Sequence, residues 1–211
     1  MGMPVLIIGE SGSGKTFSLK NFTAEEISIF SVEKSRLPFQ KKLPLLPHAT
    51  YADIGKVLRE NLNKKAYAVD DSQYLLVNEN FDRVEESGYK KFTDMAVHFR
   101  NLVHFVNKNL PDDVVVYFLH HTETDRNTGK VKAKTVGKML DNQLTVEGCF
   151  DIVLLAQAES DGHYFVTQSD GYSTAKSPEG MFDLKIPNDL KFVDTRIRDY
   201  YGLAETAEKK A

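Results

Sequence analysis

The chain has 211 residues, and its 27 Lys and Arg against 30 Asp and Glu give a net charge of −3 at pH 7. This balance excludes a general attraction to polyanions, so any nucleic-acid binding must come from a local basic patch. The length fits one domain with a substantial core, and no apolar run reaches the ~20 residues of a membrane span. The single cysteine, Cys149, cannot form an internal disulfide, which favours a reducing cytoplasm.

The first third of the chain alternates strand patterns with helical ones. In chain order these are a strand over 5–8, a helix over 15–22, a strand over 27–32 that ends at Glu33, a helix over 50–61 capped by Thr50, and a strand over 66–69 halted by Asp70 and Asp71. Three prolines mark 34–49 as irregular chain, whereas 72–89 is polar and mixed.

The rest of the chain continues the alternation. It comprises a helix over 92–109, a strand over 114–119 that ends at His120 and His121, a polar loop to about 135, a short helix over 136–144, a strand over 152–155, a hairpin turn at 169–171 with its first arm at 164–168, and a helix over 189–201. This pattern predicts one three-layer α/β domain over 1–203, with a mainly parallel sheet and a C-terminal β-hairpin. Residues 204–211 are a charged tail that we expect to fray.

The loop after the first strand carries the most specific motif, Gly-Glu-Ser-Gly-Ser-Gly-Lys-Thr. Its glycines allow backbone N–H groups to close around phosphate oxygens. In such a P-loop Lys15 binds the β- and γ-phosphates, and the Thr16 hydroxyl is a Mg²⁺ ligand. We expect the Lys15 side chain to project into solvent when no phosphate is bound. The residues predicted to bind Mg-ATP are Gly9, Glu10, Ser11, Gly12, Ser13, Gly14, Lys15, Thr16 and Phe17.

Acidic residues at strand ends complete the predicted site. Asp70 ends an apolar strand, where a P-loop protein holds Mg²⁺ together with Thr16; a helix N-cap is its alternative role. Hydrolysis also needs a group that orients or deprotonates the attacking water. Glu33 is the better candidate, unless it is a solvated loop residue. Asp71 takes that catalytic role, caps the next segment, or lies behind the groups that contact the metal.

A histidine pair ends the fourth predicted strand. His120 or His121 would lie near the γ-phosphate if that strand lies between the first and the third. A polar residue at this position could sense whether ATP or ADP is bound. The sequence does not show which of the two does so, and we expect the other to be structural.

The layout of the predicted site resembles that of the RecA-like ATPases. It combines the P-loop with Glu33 after strand two, Asp70 after strand three and a polar residue at the end of strand four. The closer resemblance is to the small phage RecA-like ATPases of the Sak type, which act in phage recombination. The resemblance spans about residues 4–201. The segments that carry it are 67–72, the histidine pair at 120–121 and 176–182. The polymerisation segment and C-terminal domain of bacterial RecA proteins have no counterpart here, and the histidine pair replaces the glutamine usual in RecA.

This resemblance implies an ATPase that assembles into a homo-oligomeric ring or filament in the cytoplasm of a phage-infected bacterium. It implies Glu33 as the catalytic acid, Asp70 as the Mg²⁺ aspartate, and Lys176 as a residue that reaches the ATP of a neighbouring subunit. Neither the subunit number nor the DNA polarity can be read from the sequence.

A basic segment follows the fourth strand. Between 122 and 138, five cations face only Glu123 and Asp125, a local net charge of +3. The cations are Arg126, Lys130, Lys132, Lys134 and Lys138. In RecA-like recombinases the corresponding loop touches single-stranded DNA, so the segment is the predicted DNA site. No aromatic residue is interleaved for base stacking, and a solvated charged loop is the alternative. Lys90 and Lys91 offer a second basic position.

Three functions follow from these patterns. The first is an ATPase that binds single-stranded DNA and supports strand annealing, alone or with a phage annealing or single-strand-binding protein. The second is a nucleotide-gated loader or scaffold of phage DNA metabolism. The third is a P-loop kinase that acts on a small molecule. Such a kinase favours an arginine-rich lid over the phosphates, whereas residues 122–138 contain one arginine and four lysines.

Overall fold

The computed structural model of the protein describes residues 1–203, and the predicted tail lies outside the described residues. The strands are β1 (Met3–Gly9), β2 (Ile27–Ser31), β3 (Leu45–Pro47), β4 (Ala66–Asp70), β5 (Val115–Thr124), β6 (Val131–Ala133), β7 (Ile152–Glu159), β8 (Gly162–Val166) and β9 (Lys185–Pro187). The α-helices are α1 (Tyr51–Glu60), α2 (Tyr74–Asp82), α3 (Tyr89–Asn109), α4 (Gly137–Asp141) and α5 (Leu190–Tyr201). Two 3₁₀ helices span Thr16–Asn21 and Val146–Cys149.

The sheet is mixed but mostly parallel. Its order is β3-β2-β4-β5-β1-β7-β8-β9, and the first six strands in this order pair in parallel. β8 and β9 extend the sheet with antiparallel pairing, and β6 pairs with the end of β5. The prediction of an α/β domain with a mainly parallel sheet is therefore confirmed. β5 lies between β1 and β4, which is the condition for the histidine pair to lie near the P-loop.

Two apolar cores lie on opposite faces of the sheet. Helices α1, α2 and α3 pack on one face, and the first 3₁₀ helix and α5 pack on the other. Strand β1 contributes to both cores, because successive side chains of a strand point to opposite faces. Its residues Val5–Ile8 are completely buried. The continuous apolar run thus marks a strand covered on both sides, as predicted.

Helix α1 begins where the sequence predicts it. The Thr50 backbone N–H donates to Asp53 Oδ2 at 3.0 Å, and the Asp53 N–H donates to Thr50 Oγ1 at 3.3 Å. This reciprocal pair is a capping box, which satisfies two N–H groups that a helix end otherwise leaves unpaired. The spacing of Thr50 and Asp53 was the readable signal.

Several elements differ from the prediction because tertiary contacts create them. Helix α2 occupies part of the segment that the sequence analysis described as polar and mixed. Near the end of this helix, Lys91 Nζ donates to Asn80 O at 3.0 Å and to Arg83 O at 2.8 Å. Lys91 is therefore buried and engaged, so it is not available to DNA. β3 forms within the proline-containing segment by pairing with β2.

The helix after the P-loop is also different, since the chain forms a 3₁₀ helix rather than an α-helix. The Ser18 hydroxyl donates to Lys15 O at 2.5 Å, and this local bond competes with regular helical bonding.

The hairpins lie elsewhere than predicted. β5 continues past the histidine pair to Thr124, because residues 122–124 pair with β6; the predicted polar loop is a β-hairpin over 122–133. The C-terminal hairpin joins β7 to β8 and turns at residues 160–161, not at 169–171. After β8 the chain instead follows a long connection and returns as β9.

Candidate functional site

A cleft of about 360 Å³ opens above the carboxyl end of β1. One wall is the P-loop, and the other is the segment 34–38 that follows β2. Asp71, which directly follows β4, and His121, which lies within β5, also line the cleft. The residues that line it are Ser11, Gly12, Gly14, Lys15, Thr16, Phe17, Lys34, Arg36, Leu37, Pro38, Asp71, His121 and His163.

The P-loop backbone requires glycine at two positions. Gly12 has a φ of 82° and Gly14 a φ of 92°, a region that side chains other than glycine rarely adopt. A Cβ on Gly14 would also lie 3.0 Å from Asn188 Oδ1 and 3.1 Å from His163 Nδ1. The β7–β8 hairpin and the start of α5 therefore pack directly against the loop.

Lys15 does not project into solvent, contrary to the expectation. Its side-chain Nζ donates to Gly9 O at 2.7 Å and to Glu10 O at 2.8 Å, and the residue is only 6% exposed. Burial lowers the pKa of Lys15 to about 8, although Asp71 and Asp70 act in the opposite direction. The cation is thus held within the P-loop by carbonyl groups of the same loop.

Thr16 and Asp70 lie together as predicted. The Thr16 hydroxyl donates to Asp70 Oδ1 at 2.8 Å, across 54 residues of sequence. Burial, with Asp71 beside it, raises the pKa of Asp70 to about 6. Among residues 1–203 no group of three His, Cys, Asp or Glu side chains could hold a metal. A hydroxyl and one carboxylate fit Mg²⁺, which commonly takes its other ligands from phosphates and water.

We expect Asp70→Asn to stabilise the fold. Because the folded-state pKa of about 6 exceeds the ordinary aspartate value of 3.8, ionised Asp70 costs stability above pH 6, and this cost disappears as pH falls towards 4. Asparagine keeps the acceptor for Thr16 and removes the charge. Urea unfolding should show a gain on the order of 1–3 kcal/mol near pH 7.5 and little near pH 4. A less stable variant at pH 7.5 would contradict this account.

Asp71 has the more unusual environment of the two aspartates. It adopts a positive φ of 59° and is only 2% exposed, yet it lines the cleft. Lys34 Nζ lies 2.7 Å from Asp71 Oδ2, and His121 Nε2 lies 3.3 Å from Oδ1. Burial alone would raise the pKa of Asp71, but the hydrogen bonds from His121 and Lys34 outweigh it and lower the pKa. A strained, ionised carboxylate facing a cleft is a feature of functional sites.

Glu33 lies outside this cleft. Its Oε1 accepts a hydrogen bond from Asn78 Nδ2 at 2.9 Å, and it lines a separate groove beside α1 and α2. The structure therefore brings Asp71, and not Glu33, to the P-loop. The catalytic role of Glu33 remains a prediction.

The two histidines have different surroundings. His121 lines the cleft, and its backbone N–H donates to Gln73 Oε1 at 3.1 Å. His120 is completely buried; its Nε2–H donates to Lys134 O at 2.7 Å, and its Nδ1 lies 2.9 Å from Ser72 Oγ. Burial lowers the pKa of His120 to about 4, so the ring is neutral. His120 thus occupies a structural position, and His121 is the one that faces the cleft.

The sequence analysis missed three cleft residues that carry nitrogen groups: Lys34, Arg36 and His163. Lys34 and Arg36 directly follow the end of β2, and this position was the signal that could have indicated them. His163 Nδ1 lies 3.2 Å from Ser13 O, but it arrives through the β7–β8 hairpin, for which the chain gives no local pattern. Together with Lys15, these side chains give the cleft a set of nitrogen groups suited to a polyanion.

Lys176 is exposed and does not line the cleft. Its backbone forms an antiparallel bridge with Val153, with N···O distances of 2.9 Å and 2.8 Å. A residue that acts on a neighbouring subunit must be exposed in this way, so the predicted role stays open.

The basic segment forms a hairpin whose cationic side chains differ in exposure and in whether their charge is already paired. Lys132 Nζ lies 3.1 Å from both Glu123 Oε1 and Asp141 Oδ2, so its charge is already paired. Lys134 is exposed, and its backbone N–H donates to His121 O at 2.8 Å. Arg126 is near the hairpin turn, and Lys138 belongs to α4. Arg126, Lys130 and Lys134 thus lie on or next to one hairpin, and Lys132 is the cation whose charge is already paired.

Comparison with known proteins adds no family. The sequence matches no protein-family model, and no curated protein is detectably similar to it. Within the described residues, no helix combines the length and apolar character that crossing a membrane requires.

Proposed function

We propose that this chain is a RecA-like P-loop ATPase that binds Mg-ATP and hydrolyses it. The observation that carries the proposal is the 2.8 Å hydrogen bond from Thr16 to Asp70, beside buried Lys15. It joins a phosphate-binding motif to the strand-end aspartate that such a motif needs for Mg²⁺. The position of β5 between β1 and β4 supports the resemblance to RecA-like ATPases.

Each side chain around the cleft has a separate role in the proposed reaction. Thr16 and Asp70 would hold Mg²⁺, which when bound neutralises phosphate charge. Lys15 exchanges the carbonyls of Gly9 and Glu10 for phosphate oxygens and so stabilises the charge that develops during transfer. Asp71 accepts a hydrogen bond from the attacking water and orients it.

Two further groups support Asp71. Lys34 and His121 hold its carboxylate in place, since both lie within 3.3 Å of its oxygens. Lys34 and Arg36 also add positive charge opposite the P-loop. This second wall supports the binding of a triphosphate, which carries more charge than one lysine neutralises.

The second half of the proposal is that the protein binds single-stranded DNA and acts in phage recombination or strand annealing in the host cytoplasm. Its support is the basic hairpin over 122–133 with the adjoining Lys134, where Arg126 and Lys134 are exposed and Lys130 is partly exposed, on a chain with a net charge of −3. Assembly into a homo-oligomer, with Lys176 acting across subunits, belongs to the same proposal.

Turnover by the purified protein, measured with and without single-stranded DNA, tests the function. We expect Mg²⁺-dependent ATP hydrolysis that DNA accelerates. ATP binding without turnover would favour a nucleotide-gated loader or scaffold. Transfer of phosphate to a small acceptor without hydrolysis would favour a kinase.

We expect DNA affinity to fall with salt, with a slope of log K against log[salt] of about −2 to −3.5 for some three to five phosphate contacts. Replacement of Arg126, Lys130 and Lys134 together by alanine should flatten this slope by about two units, since each single-strand contact contributes roughly 0.7. Lys132→Ala is the matched control, and its paired charge predicts a smaller change. Titration of a labelled oligonucleotide at several salt concentrations measures both. Equal slopes for wild type and triple variant would place the DNA elsewhere.

A further inference from the structure

An exposed tyrosine lies beside the basic hairpin, although none occurs within it. The backbone N–H of Val131, in β6, donates to Tyr172 O at 2.7 Å. Val131 also forms a parallel bridge with Ser173. The segment around Tyr172 therefore pairs with the start of β6 through an isolated bridge, although it lies 41 positions further along the chain.

The register of this bridge determines which way the side chains face. Ser173 is only 3% exposed, so it faces inward with its partner Val131, while Tyr172 is 69% exposed. Neighbouring residues in a strand point to opposite faces, and paired strands lie ~4.8 Å apart. Extending the register of the bridge by one residue pairs Tyr172 with Lys130, so we infer that the Tyr172 ring lies beside Lys130 on the outward face of the hairpin.

The backbone that carries Tyr172 is held by several hydrogen bonds. The Tyr172 N–H donates to Asp170 Oδ1 at 3.0 Å, and Ser169 Oγ donates to Ser173 O at 2.6 Å. Glu147 Oε1 accepts from Thr174 Oγ1 at 2.9 Å and from the Ala133 N–H at 2.7 Å, so one buried carboxylate fixes both strands. The aromatic ring is presented on a preorganised support, which reduces the entropy lost on binding.

We propose that the Tyr172 ring is a stacking platform for a base of single-stranded nucleic acid whose phosphates lie along Lys130 and its neighbouring cations. This inference rests on the DNA-binding half of the proposed function. A basic edge with an adjacent exposed aromatic ring is the combination by which proteins bind single strands without reading sequence, since every base has a π-face. Tyr172 supplies the element that the hairpin itself lacks.

The test compares Tyr172→Ala, Tyr172→Phe and the control Tyr89→Ala in the full-length chain. Tyr89 is 75% exposed and lies at the start of α3, away from the hairpin. The probes are a labelled oligothymidine and an abasic strand of the same length. We expect Tyr172→Ala to weaken oligothymidine binding about 5- to 150-fold, with an unchanged salt slope. Tyr172→Phe and the control should stay within roughly twofold of wild type, since both leave a ring at position 172.

The abasic strand separates stacking from a structural effect. Wild type and Tyr172→Ala should bind it equally, because no base is present to stack. Equal oligothymidine binding by wild type and Tyr172→Ala would overturn the inference alone. The same would follow if Tyr172→Ala lost as much affinity for the abasic strand. If the wild type bound neither strand at low salt, both the inference and the DNA-binding half of the proposed function would fall.

Discussion

Asp71→Asn is expected to leave Mg-ATP binding near normal and to slow ATP turnover by ~10²–10⁴-fold, the range typical of a lost acid–base or water-positioning group. The substitution keeps the size of the side chain and removes its charge. Asparagine also tolerates the positive φ of 59° at this position, so the backbone should not change. The residue faces the cleft and is held by Lys34 and His121.

Glu33→Gln is the matched comparison for that variant. It makes the same chemical change at a carboxylate that bonds Asn78 outside the cleft. Single-turnover hydrolysis at saturating Mg-ATP measures both variants, and we expect the larger effect at Asp71. If Glu33→Gln hydrolysed ATP slowly and Asp71→Asn hydrolysed it normally, the two roles would be reversed. The end of β2 would then have to move into the site.

Lys15→Ala is expected to lower ATP affinity on the order of 10²-fold or more, because it removes a cation that makes charge-assisted hydrogen bonds to phosphate. The fold should remain intact. In the structure Lys15 carries a desolvation cost, seen in its pKa of about 8, so its loss removes an unfavourable contribution together with two hydrogen bonds.

Calorimetric titration with Mg-ATP measures this affinity, and thermal unfolding checks the fold. Lys42→Ala is the control, since Lys42 is exposed and does not line the cleft. It should bind ATP like the wild type. Unchanged ATP affinity in Lys15→Ala would remove the P-loop from the proposed function.

The parts of this site that could be read from the sequence are those with local patterns. The P-loop has fixed spacing, and Asp70 directly follows an apolar strand, so their meeting through Thr16 could be predicted. The strands were readable because burial on both faces produces continuous apolar runs, as in β1. The capping box at Thr50 marked the start of α1 in the same way.

The remainder depends on contacts between distant segments. Which of Asp71 and Glu33 reaches the cleft depends on tertiary contacts, since Lys34 and His121 hold Asp71 at the cleft and Asn78 bonds Glu33 outside it. His120 could not be distinguished from His121, since their faces depend on how β5 packs against α3. The pairing of Lys132 with Asp141 likewise became visible only when α4 was placed beside the hairpin.

The central position of β1 has a consequence for how the cleft can close. This strand pairs with β5 on one side and β7 on the other, and the P-loop continues directly from its end. The start of the P-loop is therefore anchored to a strand that is hydrogen-bonded on both sides. The opposite wall, 34–38, lies in no helix or strand, and Lys34 ties it to Asp71 through an ion pair of 2.7 Å. We expect adjustment to the size of a bound molecule to occur in this wall rather than at the end of β1.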